Sequence, residues 1–331
     1  MVRKLVYLAV SILITALSLH LLISERTVEI LLDALNLSGV GLFVGALLMV
    51  PVIQLARTWR FGILIGGGRW PATRALYRIS TLTTFLGYLL PFRFGEFSFP
   101  LMAHHRLGLG LAHCTGIFLY TRMMDLLFLL VIGAGVILLF FADGWPAHWL
   151  AVGVVLFLLL LCGLLFLPHL SQPLEWLLSR SRGERWQKPR AVTQRMLAAV
   201  RVARNPGHNA AILLSTTLIW VLLSLLYYWA ARIALPELTY FQALLGATAA
   251  SLSFALPING VAGIGPMQAA WAYALASTGV AWDVGIASAL ICHSVLLIGS
   301  ILLSGLVIAL LSGETKPPIF PEALSNRANS E

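Results

Sequence analysis

Six stretches of almost unbroken apolar sequence constrain this chain more than anything else in it: Leu5–Ile23, Ser38–Leu55, Thr115–Phe141, Trp149–Leu167, Ala210–Ile233 and Val284–Leu311. Each is close to or beyond the roughly 20 residues that a helix needs to cross the hydrocarbon of a bilayer. Lipid offers no hydrogen bonds to the backbone, so spanning segments are helices or closed barrels. Nothing in the sequence alternates apolar and polar residues over ten-residue blocks, which excludes an outer-membrane barrel. The composition agrees, with 59% hydrophobic and only 11% charged residues, against about 25% charged in soluble domains. Such a chain cannot cover its own surface with polar groups in water. The expected fold is an all-α polytopic membrane protein.

Arg3 and Lys4 precede the first apolar run, as in a secretory leader. The run is long, however, and no small-x-small cleavage site precedes Glu25, so a retained first helix is expected. The three cysteines, Cys114, Cys162 and Cys292, lie in or beside spans without paired spacing. They read as small buried apolar residues, with no disulfide and no metal site.

The net charge of +9 is not spread as a nucleic-acid surface would spread it. Basic residues cluster at Arg3 and Lys4, at Arg57, Arg60, Arg69, Arg74 and Arg78, and from Arg180 to Arg204. That last stretch holds seven Arg and one Lys against Glu184 alone. By the positive-inside rule these segments are cytoplasmic loops. The remaining connections, around Glu25, Glu29 and Asp33, Asp143, Glu237 and Asp283, then face outward. The Arg180–Arg204 stretch reads as a topology determinant lying on anionic head groups, at about 1 kcal/mol per residue near the surface. Within it, Ala191–Arg204 has the make-up of an interfacial amphipathic helix.

Two further apolar stretches, Ile79–His105 and Tyr240–Thr278, are poor continuous spans. Each is broken in the middle, by Pro91-Phe92-Arg93-Phe94-Gly95-Glu96 and by Pro257-Ile258-Asn259-Gly260 through to Gly265-Pro266. With six spans placing both termini inside, each must leave and return on one side. They are expected as re-entrant helical hairpins, the first entering from the cytoplasm and the second from outside. Irregular backbone at that depth is tolerated only inside protein or beside a wet cavity. The hairpins also resemble one another. Both break at Leu-Pro, both continue to a glycine (Gly108, Gly279), and fourteen residues later a polar side chain follows, Arg122 or His293. Opposed entry makes this an inverted repeat, the pattern in which transporters build a midplane site.

The expected organisation is a single membrane domain over 1–312. Its first half, 1–167, carries the re-entrant segment 79–105; a cytoplasmic basic loop spans 168–209. The second half, 210–312, carries the re-entrant segment 240–278, and a short polar cytoplasmic tail covers 313–331.

Ionisable groups within a span are expensive, at least about 2.5–3.5 kcal/mol on insertion scales. Arg93, Glu96, Arg122 and Asp125 all fall in or just after the first break. Arg122 and Asp125 share a helix face. They form either a neutral pair that locks packing or a head-group contact in which Asp125 orients Arg122, whose planar fork suits a phosphate. Arg93 and Glu96 lie on the break itself. Glu96 is placed to start the second half-helix, and it becomes a proton acceptor if desolvation raises its pKa. In the second break, Asn259, Gly263, Gly265 and Gln268 surround a half-helix start at Pro266 whose free N–H groups suit an anion. His293 is either a hydrogen-bonded core histidine or a partner of this site. Gly66-Gly67-Gly68-Arg69 lacks the Gly-Lys-Ser/Thr ending of a phosphate loop.

Three elements in order, Pro91-Phe92-Arg93-Phe94-Gly95-Glu96, Arg106-Leu107-Gly108 and Arg122-x-x-Asp125, resemble the lysylphosphatidylglycerol synthase transmembrane-region family of flippase-like membrane proteins. The later Leu256-Pro257, Gly260 and Gly263-Ile264-Gly265 are similar to that family's second Pro/Gly motif. The resemblance covers roughly 1–312. It implies movement of lipids, or of head groups carried on lipids, between leaflets. Two positions depart from the pattern: Gln268 stands where the family often has Glu, and His293 near where it often has Arg.

The resulting expectation is a lipid transporter of flippase type in the bacterial cytoplasmic (inner) membrane, with both termini in the cytoplasm. Its partners are membrane lipids with anionic or phosphate-bearing head groups, not nucleic acid, and no cofactor is expected. Two alternatives stay open: an intramembrane lipid-modifying enzyme, and a non-catalytic accessory subunit of a lipid-synthesis enzyme. The synthases named in the family append a large soluble transferase, whereas about 19 residues follow Ser312 here. No HExxH, paired acidic loop or Ser/His arrangement is present, so the expected class is a non-enzyme. The topology predicts that an impermeant thiol reagent labels Asp143→Cys in intact cells and spares Ser181→Cys until the membrane is opened.

Overall fold

The computed structural model describes residues 13–311 apart from 14, 35, 67–72, 142, 144–145, 181–183 and 256–259. Residues 15–22 are helical; the rest of the first expected span, Leu5–Ile23, lies largely outside the described residues, as do the tail 313–331, Pro257 and Asn259. Among the described residues twelve α-helices follow residue 24: α1 (Glu25–Asp33), α2 (Leu37–Gly66), α3 (Thr73–Leu89), α4 (Ser98–Leu107), α5 (Leu111–Phe141), α6 (Ala147–Phe166), α7 (Ser171–Arg180), α8 (Glu184–Ala203), α9 (Pro206–Ala231), α10 (Tyr240–Ala255), α11 (Pro266–Ala276) and α12 (Trp282–Leu311). Among the described residues there is no strand.

Among the described residues five helices are long and apolar enough to cross a membrane, in Ser38–Gly66, Leu111–Leu139, Ala147–His169, Pro206–Ala231 and Trp282–Leu310. They coincide with five of the six apolar runs. Large apolar side chains such as Leu48, Leu139, Leu159, Leu214 and Leu302 are exposed on them. In water that would be a penalty; facing acyl chains it is the ordinary state of a membrane helix. Helix α6, which packs on α5, turns Trp149, Val152, Val155 and Leu159 outward in this way.

One expected boundary is corrected. The second apolar run ends at Leu55, and Arg57 and Arg60 were assigned to a cytoplasmic loop. Instead α2 continues unbroken to Gly66. Thirty residues make about 45 Å of helix, longer than the roughly 30 Å of hydrocarbon. The added turns carry both arginines against α3, α5 and α9, where protein groups receive them.

The two interrupted segments have closely matched dimensions. In the first, α3 has 17 residues and α4 has 10; in the second, α10 has 16 and α11 has 11. Each half-helix ends near a glycine of positive φ, Gly108 at 70° and Gly279 at 89°. Each is followed by a long helix beginning three residues later, α5 of 31 residues and α12 of 30. The breaks themselves are 3-10 turns, Pro91–Phe97 and Val261–Gly263, and these two turns touch.

Two apolar clusters hold the bundle. One joins α2, α9, α10, α11 and α12 through Val50, Leu226, Tyr227, Trp271 and Val295. The other joins the end of α2 to α3, α4 and α5 through Leu64, Leu76, Phe99, Ile117 and Met124. Phe61 and Phe99 stack there at 4.2 Å. The first break folds back on its own helix. A Cβ on Gly95 would overlap the Leu86 carbonyl and the Gly87 amide, so glycine alone allows that approach. Gly95→Ala is therefore expected to destabilise the domain by about 1–3 kcal/mol through forced overpacking, read as a lower thermal unfolding temperature in detergent. Gly110→Ala, where a Cβ meets nothing within 4 Å, is the neutral control.

Candidate functional site

The turn Pro91–Phe97 sets Glu96 beside α5, because it reverses the chain between α3 and α4 within seven residues. There Glu96 Oε2 lies 3.0 Å from Arg122 Nε, one of the ion pairs that the sequence had not specified. The approach is off the N–H axis, so Nε makes no hydrogen bond and the contact is mainly Coulombic. Arg122 also reaches Asp125 at 3.6 Å and lies over the Phe118 ring at 5.4 Å.

Asp125 has a stronger partner. Arg60 donates two parallel hydrogen bonds to its two carboxylate oxygens, at 2.6 and 3.0 Å, with the Arg60 side chain only 4% exposed. Arg60 donates as well to Thr216 Oγ1 at 3.2 Å, and the Trp220 indole N–H points to Asp125 at 3.3 Å. This planar fork-to-carboxylate geometry is the strong form of a charge-assisted hydrogen bond. It ties α2, α5 and α9 at one point. The expected Arg122–Asp125 pair thus exists as the weaker edge of a chain running Glu96, Arg122, Asp125, Arg60.

This chain borders a cavity of ≈ 440 Å³. Its lining combines polar residues, Arg57, Thr84, Glu96, Arg122, Asp125, Tyr227 and Ser251, with apolar ones, Leu129, Ile219, Leu223 and Phe254. Phe97 and Leu126 line it too, and both side chains are exposed. The cavity therefore opens past apolar side chains. Arg122, whose side chain is 34% exposed, is the most open ion-paired cation in it.

Of the residues expected at a site, the fold brings together Glu96, Arg122 and Asp125. Arg93 lies in the first 3-10 turn, and its side chain is outside the described residues. In the second break, His293 Nε2 hydrogen-bonds the Ala262 carbonyl at 2.7 Å, and Ala262 and Gly263 hold positive φ of 56° and 73°. The Gln268 side-chain oxygen accepts from Gly265 N–H at 2.8 Å, capping α11. Gly263, Gly265, Gln268 and His293 thus shape the turn, and none of them lines the cavity. Beside the breaks, Tyr88 stacks on Phe254 at 5.5 Å and meets the His293 ring edge-on at 6.4 Å. Arg57 and Arg60 were missed at the site because a clustered arginine beyond an apolar run reads as a topology signal. Their three-residue spacing on a continuing helix was the available sign.

Apolar helices in lipid contact around a charged cavity, framed by two broken segments, define an α-helical integral membrane protein with a polar interior site. Its membership is specific: residues 5–304 match the lysylphosphatidylglycerol synthase TM region family, and the chain belongs to that family. Comparison with curated proteins and with solved structures finds no match.

Removing the charge of Asp125 leaves Arg60 buried and unpaired. Asp125→Asn is expected to lower stability by about 3–5 kcal/mol, measured by thermal unfolding of the purified protein. The double replacement Arg60→Met, Asp125→Leu should recover most of that loss, since an apolar pair of similar volume needs no desolvation.

Proposed function

We propose that this protein carries a phospholipid, or a head group borne on a lipid, between the two leaflets. One observation carries the reading: the cavity is charged within and opens past exposed apolar side chains, Phe97 and Leu126. A head group fits the interior while its acyl chains stay in the surrounding lipid. Family membership supports the lipid class, since the family is described by a lipid synthase's membrane region.

Alternating access would come from an inverted repeat of two re-entrant hairpins, with the halves 1–167 and 210–312 rocking about the touching breaks. The matched helix lengths, the two positive-φ glycines and the shared fourteen-residue step to Arg122 and His293 support that symmetry. Pro91 and the second Pro/Gly segment would then be the hinges. Arg122 meets the arriving head group by exchanging Glu96 for it, and Arg93 is a further contact. The driving force is an ion gradient or the lipid's own gradient, because no nucleotide-binding motif occurs in the chain. The domain sits in the bacterial inner membrane with both termini in the cytoplasm.

The test is leaflet exchange of fluorescent phospholipids in proteoliposomes, followed by quenching of the outer leaflet. Wild-type protein should accelerate exchange well above protein-free vesicles. Arg122→Ala should slow it about 10-fold, the loss of one charged hydrogen-bonding group. Unchanged exchange in the variant removes Arg122 from the site. Absence of exchange by the wild type defeats the transport reading itself.

A further inference from the structure

Among the described residues three guanidinium groups reach the cavity or the residues lining it, and their partners differ. Arg60 is bound at both Nη atoms by Asp125, and Arg122 is paired with Glu96. These two contacts occupy both carboxylates that line the cavity. Arg57 has neither. Among the described residues its one hydrogen bond is from Nη1 to Thr84 Oγ1, at 3.1 Å, and no carboxylate lies within ion-pair distance. A guanidinium in a membrane domain with no carboxylate paired directly to it is disfavoured. The fold nevertheless holds it at the edge of an open cavity.

The hold is built. Thr84 accepts from Arg57, and its own hydroxyl reaches the Ser80 carbonyl at 3.0 Å and Gln54 Oε1 at 3.4 Å. Ser80 donates to the same Gln54 oxygen at 3.2 Å. Gln54 and Ser80 are buried between α2 and α3. This brace fixes one N–H of the fork and leaves the rest of a planar five-donor group for the cavity. Tyr227 and Ser251 hydroxyls line the same space.

We propose that Arg57 is the anchoring cation of this cavity, taking the two non-bridging oxygens of a lipid phosphodiester, and that Thr84, Gln54 and Ser80 are positioning residues that aim it. The inference rests on the lipid-carrying reading above. A phosphodiester suits the group because it is a single negative charge shared by two oxygens, and a guanidinium edge matches that pair. Arg122 is then the second contact, reached only as Glu96 gives way. Lipid phosphate is favoured over soluble phosphate by the exposed apolar residues at the cavity's edge.

The experiment titrates dioctanoyl-phosphatidylglycerol into the purified full-length protein in maltoside detergent, with dioctanoylglycerol as the phosphate-free counterpart and inorganic phosphate as competitor. Arg57→Gln should raise the Kd for the phospholipid about 30-fold or more, the loss of a charge-assisted bidentate contact. Arg57→Lys keeps the charge without the fork and should raise it about 5-fold, as should Thr84→Val. Arg122→Gln should do less than Arg57→Gln. Dioctanoylglycerol should bind weakly, and equally to wild type and Arg57→Gln. Arg57→Gln binding like wild type while Arg122→Gln loses the phospholipid would overturn the assignment and leave the lipid reading standing. Wild type preferring neither lipid would remove both. Inorganic phosphate competing as well as the phospholipid would assign the site to a soluble anion instead. Where Arg57→Gln does not yield monodisperse protein, unchanged Kd values in both Arg57→Lys and Thr84→Val overturn the proposal.

Discussion

The bidentate contact between Arg60 and Asp125 sits where three long helices converge, with Thr216 and Trp220 completing its hydrogen bonds. Each charge alone would be intolerable in the apolar interior, and each therefore demands the other. That demand fixes the register of α2 against α5. Because Arg57 is on the same side of α2 and Arg122 one turn before Asp125 on α5, the register also decides which groups enter the cavity. A pair whose net stabilisation is modest can specify an arrangement in this way. The Glu96–Arg122 contact is of another kind: more open, off the hydrogen-bond axis, and carried on a 3-10 turn rather than a helix. One pair organises the site, and the other is poised to change.

The broken segments divide their labour along the same line. In the first, Gly95 lets the turn press onto Leu86, and this delivers Glu96 to α5. In the second, the histidine and glutamine serve the backbone: His293 holds Ala262 and Gln268 caps α11. Beside the breaks the two segments meet through Tyr88 and Phe254, which stack at 5.5 Å.

Much of the fold was legible before any coordinates. Apolar runs of spanning length can do little else than form helices in lipid, and five of the six coincide with described helices. The positions of the breaks were legible too, because proline and paired glycines interrupt a helix wherever they stand. So were Glu96, Arg122 and Asp125, as charges in improbable places. What misled was Arg57 and Arg60. A cluster of arginines after an apolar run has the same appearance whether it lies on the cytoplasmic surface or is drawn inward by an aspartate 65 residues away.

The sequence by itself determined the solvent, the secondary structure and the places where the helices break, since these follow from local hydropathy and backbone chemistry. Only the tertiary structure decided which of the charges at the cavity are paired with one another. Pairing depends on the distance between side chains far apart in the chain, and the strength of a charge interaction in an apolar medium depends steeply on that distance. The composition contains the arginines and carboxylates without saying how they meet. The packing of α2 against α3, α5 and α9 closes Arg60 on Asp125 and leaves Arg57 with a hydroxyl.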